Sequence, residues 1–149
     1  MTGPNPTDRG KLGTKRHILT DKNGIPLSVV ITAANTHDMK AAIRTLDRMV
    51  LRKRPKDTQN LCLDKGYDFP EIENESINRG YTPHIRHRGE AKRMARNVNR
   101  VRRWVVERTN SWHNRFRKLF VRYEKKVENY LGLVQLACCV IIYRRTLLG

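Results

Sequence analysis

Negative charge is what this chain is short of. Its 149 residues carry 14 Asp and Glu against 31 Lys and Arg, a net charge of +17. So unbalanced a surface repels itself and attracts polyanions. Nucleic acid is the first expected partner and an anionic membrane surface the second. Long apolar runs are also missing. The longest, Leu131 to Ile142, is about twelve residues and interrupted by Gln135, short of the ~20 that span a bilayer. The opening MTGPNPTDRG has no apolar core of the signal-peptide kind. These absences predict a cytoplasmic protein with no membrane partner. Cysteine is scarce: Cys62, Cys138 and Cys139 lie in apolar segments without metal-ligand spacing, which predicts buried, reduced thiols. No repeat and no linker divides the chain, and its length fits one domain with a core of moderate size.

Gly, Pro and polar turn formers fill residues 1–13, which read as an extended arm. Thr14 to Asp21 and Leu27 to Thr32 are strand-like, and the Asp-Lys-Asn-Gly between them predicts a β-hairpin. In ANTHDMKAAIRTLDRMVLRKR the polar start suits a helix N-cap. Ile43, Leu46, Met49 and Val50 follow at helical spacing, and Pro55 lies beyond. Asn60 to Leu63 predicts a buried strand, Phe69 to Arg79 a helix closed by Gly80, and Tyr81 to Ile85 another strand. A basic loop over 86–96 leads to a helix over about 97–118 and a last apolar helix over about 128–147. This succession predicts an α/β domain with a mixed sheet, with hairpin, helices and strands over 14–85 and C-terminal helices over 97–147.

The charge is concentrated. Between Arg79 and Lys125 fifteen Lys and Arg stand against Glu90, Glu107 and Glu124. A solvated helix face explains an ordinary charge run. Here aromatic residues, Trp104 and Tyr123 among them, are interleaved, and the excess cannot pair internally, so nucleic-acid contact is the stronger expectation. At about 100° per residue, Val98, Val101, Val105, Trp112, Phe116 and Leu119 form the core stripe of the 97–118 helix. Trp112 reads as core rather than as a base-stacking platform. Arg100, Arg103, Glu107 and Asn114 gather elsewhere.

Glu107 is the helix's one carboxylate. It forms either an ordinary ion pair with Arg103 or half of a more demanding arrangement with Asp64. Asp64 stands at the tip of the Leu61–Cys62–Leu63 strand, followed by Lys65 and Gly66. A strand-end carboxylate and a helix carboxylate are a workable pair for hard divalent cations in phosphoryl transfer. Lys65, Arg103 and Arg108 are then candidates to position phosphates. A polar turn is the plain alternative for Asp64.

Four segments, GPNPTDRGKLGTKRHILTD, ITAANTHD, LDKGYD and VERTNSWHNRFRKLFVRYEKK, resemble in order the bacterial insertion-sequence DDE transposases of the insertion-sequence-five type. The similarity runs over nearly the whole chain. It implies an RNase H-like fold, two divalent ions (Mg2+ or Mn2+), and cleavage and transfer of DNA strands at transposon ends and target. Asp64 matches the second catalytic Asp of that family and Glu107 its catalytic Glu. The family pattern around the Glu has Tyr, Arg, Glu and Lys; Arg103 and Glu107 fit, Arg100 stands at the Tyr position and Asn114 at the Lys position. Arg115 or Lys118 supplies a substitute cation. Arg103, Arg108, Arg115 and Arg117 are assigned to DNA phosphates. His37 and Asp38 occupy a position where the family often has a His-Asp pair, either as N-cap or in support of the site.

The family's first catalytic Asp lies on a strand upstream of GPNPTDRG. Asp8 and Asp21, in an arm and a turn, are poor substitutes. The resemblance therefore implies a partial catalytic domain over 1–149 lacking its first strand, completed by an upstream transposase segment or by homo-oligomerisation, in a nucleoid-associated bacterial protein. Two rivals remain at this level: a non-catalytic basic DNA- or RNA-binding protein, and an inactive remnant that folds poorly.

Overall fold

The computed structural model describes residues 2–51, 57–85 and 103–148. The predicted basic loop and residues 97–102, with Val98, Arg100 and Val101, lie outside them.

The hairpin forms as expected, from β2 (Leu12–Thr20) and β3 (Pro26–Ala33), with Thr14 opposite Ala33 and Ile18 opposite Val29. Its turn is built by Asp21, whose carboxylate accepts from the backbone N–H of Asn23 and Ile25, both at 2.8 Å. The first thirteen residues are more than an arm. The short β1 (Gly3–Pro4) pairs antiparallel with Leu12 and Gly13, and the Asn5 side chain accepts from the N–H and hydroxyl of Thr7 to hold the intervening turn. A Cβ at Gly3 would stand 2.1 Å from Asn35 Oδ1 and 3.1 Å from Ala33 Cβ, so a larger residue there would displace the Asn35 side chain.

The three-stranded sheet is covered on both faces. On one side lies α1 (Met39–Asp47), burying Ala41, Ala42, Thr45 and Leu46; Ser28 of β3 donates a 2.6 Å bond to the Thr45 carbonyl. The helix is shorter than its periodicity predicts, and Ile43 and Val50 are exposed. The chain leaves the helix because β3 offers a competing partner: Val50 N–H bonds to the Leu27 carbonyl at 3.1 Å.

On the other side pack α3 (Arg103–Asn114), α4 (Arg117–Phe120) and α5 (Val127–Thr146). Val29, Ile31, Leu119, Tyr130, Val134, Ala137 and Cys138 form the core there. Each large aliphatic contributes about 1.5–3 kcal/mol by leaving water. The predicted 97–118 helix is broken after Asn114. Phe116 takes extended backbone angles before α4, which lets Leu119 reach the core while Phe116 packs against it. Arg122 ties the following loop to the sheet, donating to Thr14 Oγ1 at 2.5 Å and to the Glu124 carbonyl at 2.8 Å.

Among the described residues, α5 is the one helix long and apolar enough to cross a membrane by length and composition, which the twelve-residue apolar run did not predict. Its Tyr130, Val134, Ala137, Cys138 and Ile141 are buried.

A second, parallel pair consists of β4 (Gln59–Leu63) and β5 (Tyr81–Ile85), joined through α2 (Pro70–Asn78). Pro70 opens α2 at its first turn, and Gly80 follows it with φ +75°, the left-handed conformation that glycine adopts without strain. The expected mixed sheet is thus divided: one antiparallel, one parallel, with no strand pairing between them among the described residues. Consequently β4 is no core strand. Leu61 is buried but Cys62 is exposed, as is Cys139 of α5; of the three thiols only Cys138 is buried. Cys62 points to the opposite face of the strand from the buried Leu61 and is exposed there.

Candidate active site and DNA-binding face

Asp64 follows β4 directly. Its extended backbone and its carboxylate, which accepts from Lys65 N–H at 2.8 Å, cap a single 3-10 turn over Lys65–Tyr67. The carboxylate is therefore held at the strand tip while remaining exposed, as is Lys65. Gly66 lies beside the start of α1: a Cβ there would meet Asp38 Oδ2 at 3.4 Å, an ordinary contact. Tyr67 is tucked beneath, its phenol pushed up to about 12 by burial and then by the fields of Asp38 and Asp64. That shared field brings Asp38 and Asp64 into one neighbourhood.

Asp38 is not the side-chain cap of α1; it makes no capping hydrogen bond. The His37 ring takes that role, its Nδ1 accepting from Met39 N–H at 3.3 Å, and packs edge-on against Phe69 at 5.4 Å. Asp38 instead pairs with Lys15 of β2 at 3.0 Å, and the same ammonium donates to the Thr36 carbonyl at 3.0 Å. Lys15 and Asp38 thus join the hairpin to the start of α1, beside the turn that carries Asp64. Beneath them His17 is buried against Thr32 Oγ1 at 2.8 Å. Desolvation lowers its pKa despite the opposing charge of Asp38.

Glu107 lies exposed on α3, a helix fixed from below by residues that periodicity did not single out. Thr109 and His113 are fully buried. The Thr109 hydroxyl donates to the Gly24 carbonyl at 2.7 Å. His113 Nδ1 meets the Thr109 carbonyl at 3.0 Å, so Nδ1 carries the proton. Neutral Nε2, 3.3 Å from Cys138 Sγ, is then left to accept from a thiol. That thiol stays protonated, pushed up to about 11 mainly by burial. The available signal was spacing: Val105, Thr109, His113 and Phe116 share one helical face, but two of them are polar and apolar scanning passes over them.

Arg108 has a structural engagement. It donates to the Asn23 carbonyl in the hairpin turn, and its guanidinium carbon lies 4.7 Å from the Trp104 ring centroid and 5.2 Å from that of Trp112. Its Nε is buried without a hydrogen-bond partner among the described residues. Trp112 is half-buried and also meets Arg145 of α5 at 4.4 Å. Asn114, at the end of α3, accepts from Arg16 of β2 at 2.7 Å. Arg115 and Arg117 are exposed beyond it, as is Lys118. Arg103 begins α3.

The described residues contain no grouping of three or more His, Cys, Asp or Glu able to hold a metal ion. Asp64 and Glu107 by themselves do not complete a divalent-cation site.

A strongly basic α/β chain is suited to meeting polyanions such as nucleic acid. The comparison with known families makes this specific. Residues 2–142 match the transposase DDE domain, and the chain belongs to that family. A Burkholderia cepacia protein assigned as the transposase for insertion sequence element IS402 is 36% identical over 149 residues, spanning 95% of this chain and 68% of the relative. No solved structure matches this chain. The chain is thus an insertion-sequence DDE transposase by family.

Proposed function

We propose that this chain is the C-terminal catalytic portion of an insertion-sequence transposase of the insertion-sequence-five type, a single partial RNase H-like domain acting on DNA in the bacterial cytoplasm. Asp64 and Glu107 are two of its three catalytic carboxylates. The observation that carries the reading is the exposed Asp64, held at the tip of β4 by its own cap on the Lys65–Tyr67 turn. Such a carboxylate is aimed outward from the sheet at no cost in buried charge, as a ligand for Mg2+ or Mn2+ must be.

A third carboxylate, from a further transposase segment or a second subunit, would complete the set. Two sheets that share no strand pairing among the described residues support a strand acceptor, since unpaired strand edges template further pairing. Lys65, Arg103, Arg115 and Arg117 hold phosphates of transposon-end and target DNA, with Arg108 bracing the helix that presents Glu107. Lys15, His37 and Asp38 support the Asp64 turn, and Asn114, through Arg16, the far end of α3. The apolar α5 is a packing helix with one face on β3.

The test supplies the upstream segment in trans and measures Mn2+-dependent strand cleavage and transfer on transposon-end DNA. Activity lost in both Asp64→Asn and Glu107→Gln, with DNA binding retained, is expected. Binding without metal dependence, indifferent to both substitutions, would establish a non-catalytic DNA-binding protein instead.

A further inference from the structure

Asn129, Gly132, Leu136, Cys139, Tyr143 and Thr146 follow one another along α5 at alternating three- and four-residue steps, and every one of them is exposed. At about 100° per residue they form one stripe. Tyr130, Val134 and Ala137, which belong to the core over β3, lie on the opposite side of the helix. The stripe is apolar at its centre, with Leu136 62% and Tyr143 53% exposed. No charged residue occurs from 129 to 143, in a chain with 31 Lys and Arg and 14 Asp and Glu. A helix apolar on all sides is normally covered on all sides, and here the fold covers one.

Nothing in the fold requires Gly132. A Cβ there would meet nothing within 4 Å outside its own helix, and glycine weakens a helix interior. A close neighbour from outside accounts for it. The stripe is symmetric in sequence about the middle of the helix, between Ala137 and Cys138. A second α5 running antiparallel about that point sets Leu136 against the partner's Cys139, Gly132 against the partner's Tyr143 and Asn129 against the partner's Thr146. Large meets small in the inner layers, and polar meets polar in the outer one. The ends are complementary as well. Glu128 lies in the first turn of α5 and Arg144 and Arg145 in the last, so antiparallel packing sets ends of opposite charge and opposite dipole sign side by side.

We infer that the outward face of α5 is a self-association surface, on which a second copy of this chain packs α5 against α5, antiparallel across a two-fold axis. Alternating three- and four-residue spacing is the pattern by which helices interlock side chains, and a two-fold interface presents one patch complementary to itself. A parallel pair would stack Tyr143 on Tyr143, leave facing glycines empty and bring like charges together at both ends. The uncharged stripe lets two chains of net charge +17 meet without placing like charges in contact. One helix face is smaller than a standard interface, so the association is weak and concentration-dependent. The inference involves none of the proposed catalytic residues and stands apart from the proposed chemistry.

The experiment is sedimentation velocity of the full chain over a range of concentrations, without DNA or divalent metal, in salt high enough to screen the net charge. A monomer–dimer equilibrium is expected. Leu136→Lys is expected to weaken it at least about tenfold, by burying a charge. Gly132→Leu is expected to do the same by crowding the partner's Tyr143. The dilute, monomeric Gly132→Leu chain is nevertheless expected to melt no lower than dilute wild type, because α5 gains a better helix former. Adding Tyr143→Ala to Gly132→Leu is expected to restore association, large and small having changed places. A chain monomeric at every concentration would overturn the inference. So would association that Gly132→Leu leaves equal or tightens, as a parallel pair predicts. Vesicle binding lost in Leu136→Lys, without self-association, would give the stripe to a lipid surface and overturn it too. Failure of the catalytic reading appears separately, in the strand-transfer assay of Asp64→Asn and Glu107→Gln.

Discussion

The carbonyl of Gly24 accepts a 2.7 Å hydrogen bond from the hydroxyl of Thr109, 85 residues later in the chain. This contact docks the hairpin turn onto the helix that bears Glu107. Gly24 has φ +82°, and a Cβ there would lie 3.0 Å from Thr109 Oγ1 and 3.1 Å from Arg108 Nη2. Gly24→Ala therefore meets both backbone strain and a clash, and we expect a loss of about 1–3 kcal/mol. Thr109→Val removes the donor and leaves a buried carbonyl unpaired, a cost of similar size. Urea denaturation of each variant measures both; an unchanged midpoint in either contradicts the docking.

Asp38 acts on the Asp64 turn more than on stability. Its pair with Lys15 is part-exposed, so Asp38→Asn is expected to cost at most about 1 kcal/mol in folding. Strand transfer in the complemented system should fall by at least tenfold, because the start of α1, on which the Asp64 turn rests, loses its ion pair to β2. Thermal melts and initial rates on the same preparations separate the effects. A rate that falls only in proportion to stability would leave Asp38 a structural residue.

Stability should decline on mild acidification. His17 and His113 both have pKa values lowered, mainly by burial. A depressed folded-state pKa means that the unfolded chain binds the proton more readily. The contribution is complete above the unfolded value of about 6.5 and is lost as pH falls through the folded values. The melting temperature should therefore drop between pH 7.5 and 5, and His17→Gln should flatten part of that slope. A melting temperature that rises over this interval would rule out the burial of neutral imidazoles.

DNA affinity should depend steeply on salt. Arg115→Ala and Arg117→Ala, both at exposed positions, are each expected to weaken binding to any sequence and to reduce the slope of log K against log salt by about 1. Fluorescence anisotropy from 50 to 300 mM NaCl measures this. Unchanged slopes would place the phosphates elsewhere on the basic surface.

Because no grouping of three or more His, Cys, Asp or Glu able to hold a metal ion occurs among the described residues, we expect the 149-residue chain alone not to complete transposition. Efficient Mg2+-dependent strand transfer by this chain alone would show that its own residues assemble the site.

Local chemistry was legible in the sequence wherever neighbours along the chain decide the outcome. The Asp-Lys-Asn-Gly turn, the Pro70 start and Gly80 end of α2, β5, and Asp64 at the tip of a strand all follow from backbone preferences within a few residues. Membership of the transposase family was legible for a similar reason, since ordered local motifs carry it. Tertiary structure alone decided the rest. It ended α1 early by offering Val50 a bond on β3, and it turned Asp38 from an N-cap into the partner of Lys15. It buried Thr109 and His113 beneath Glu107 while leaving Cys62 and Trp104 in solvent. Periodicity describes only which side chains share a face; whether a face is covered depends on surfaces supplied from distant positions. The exposure of β4 is the clearest case: three apolar letters promised a core strand, yet of the three Leu61 alone is buried.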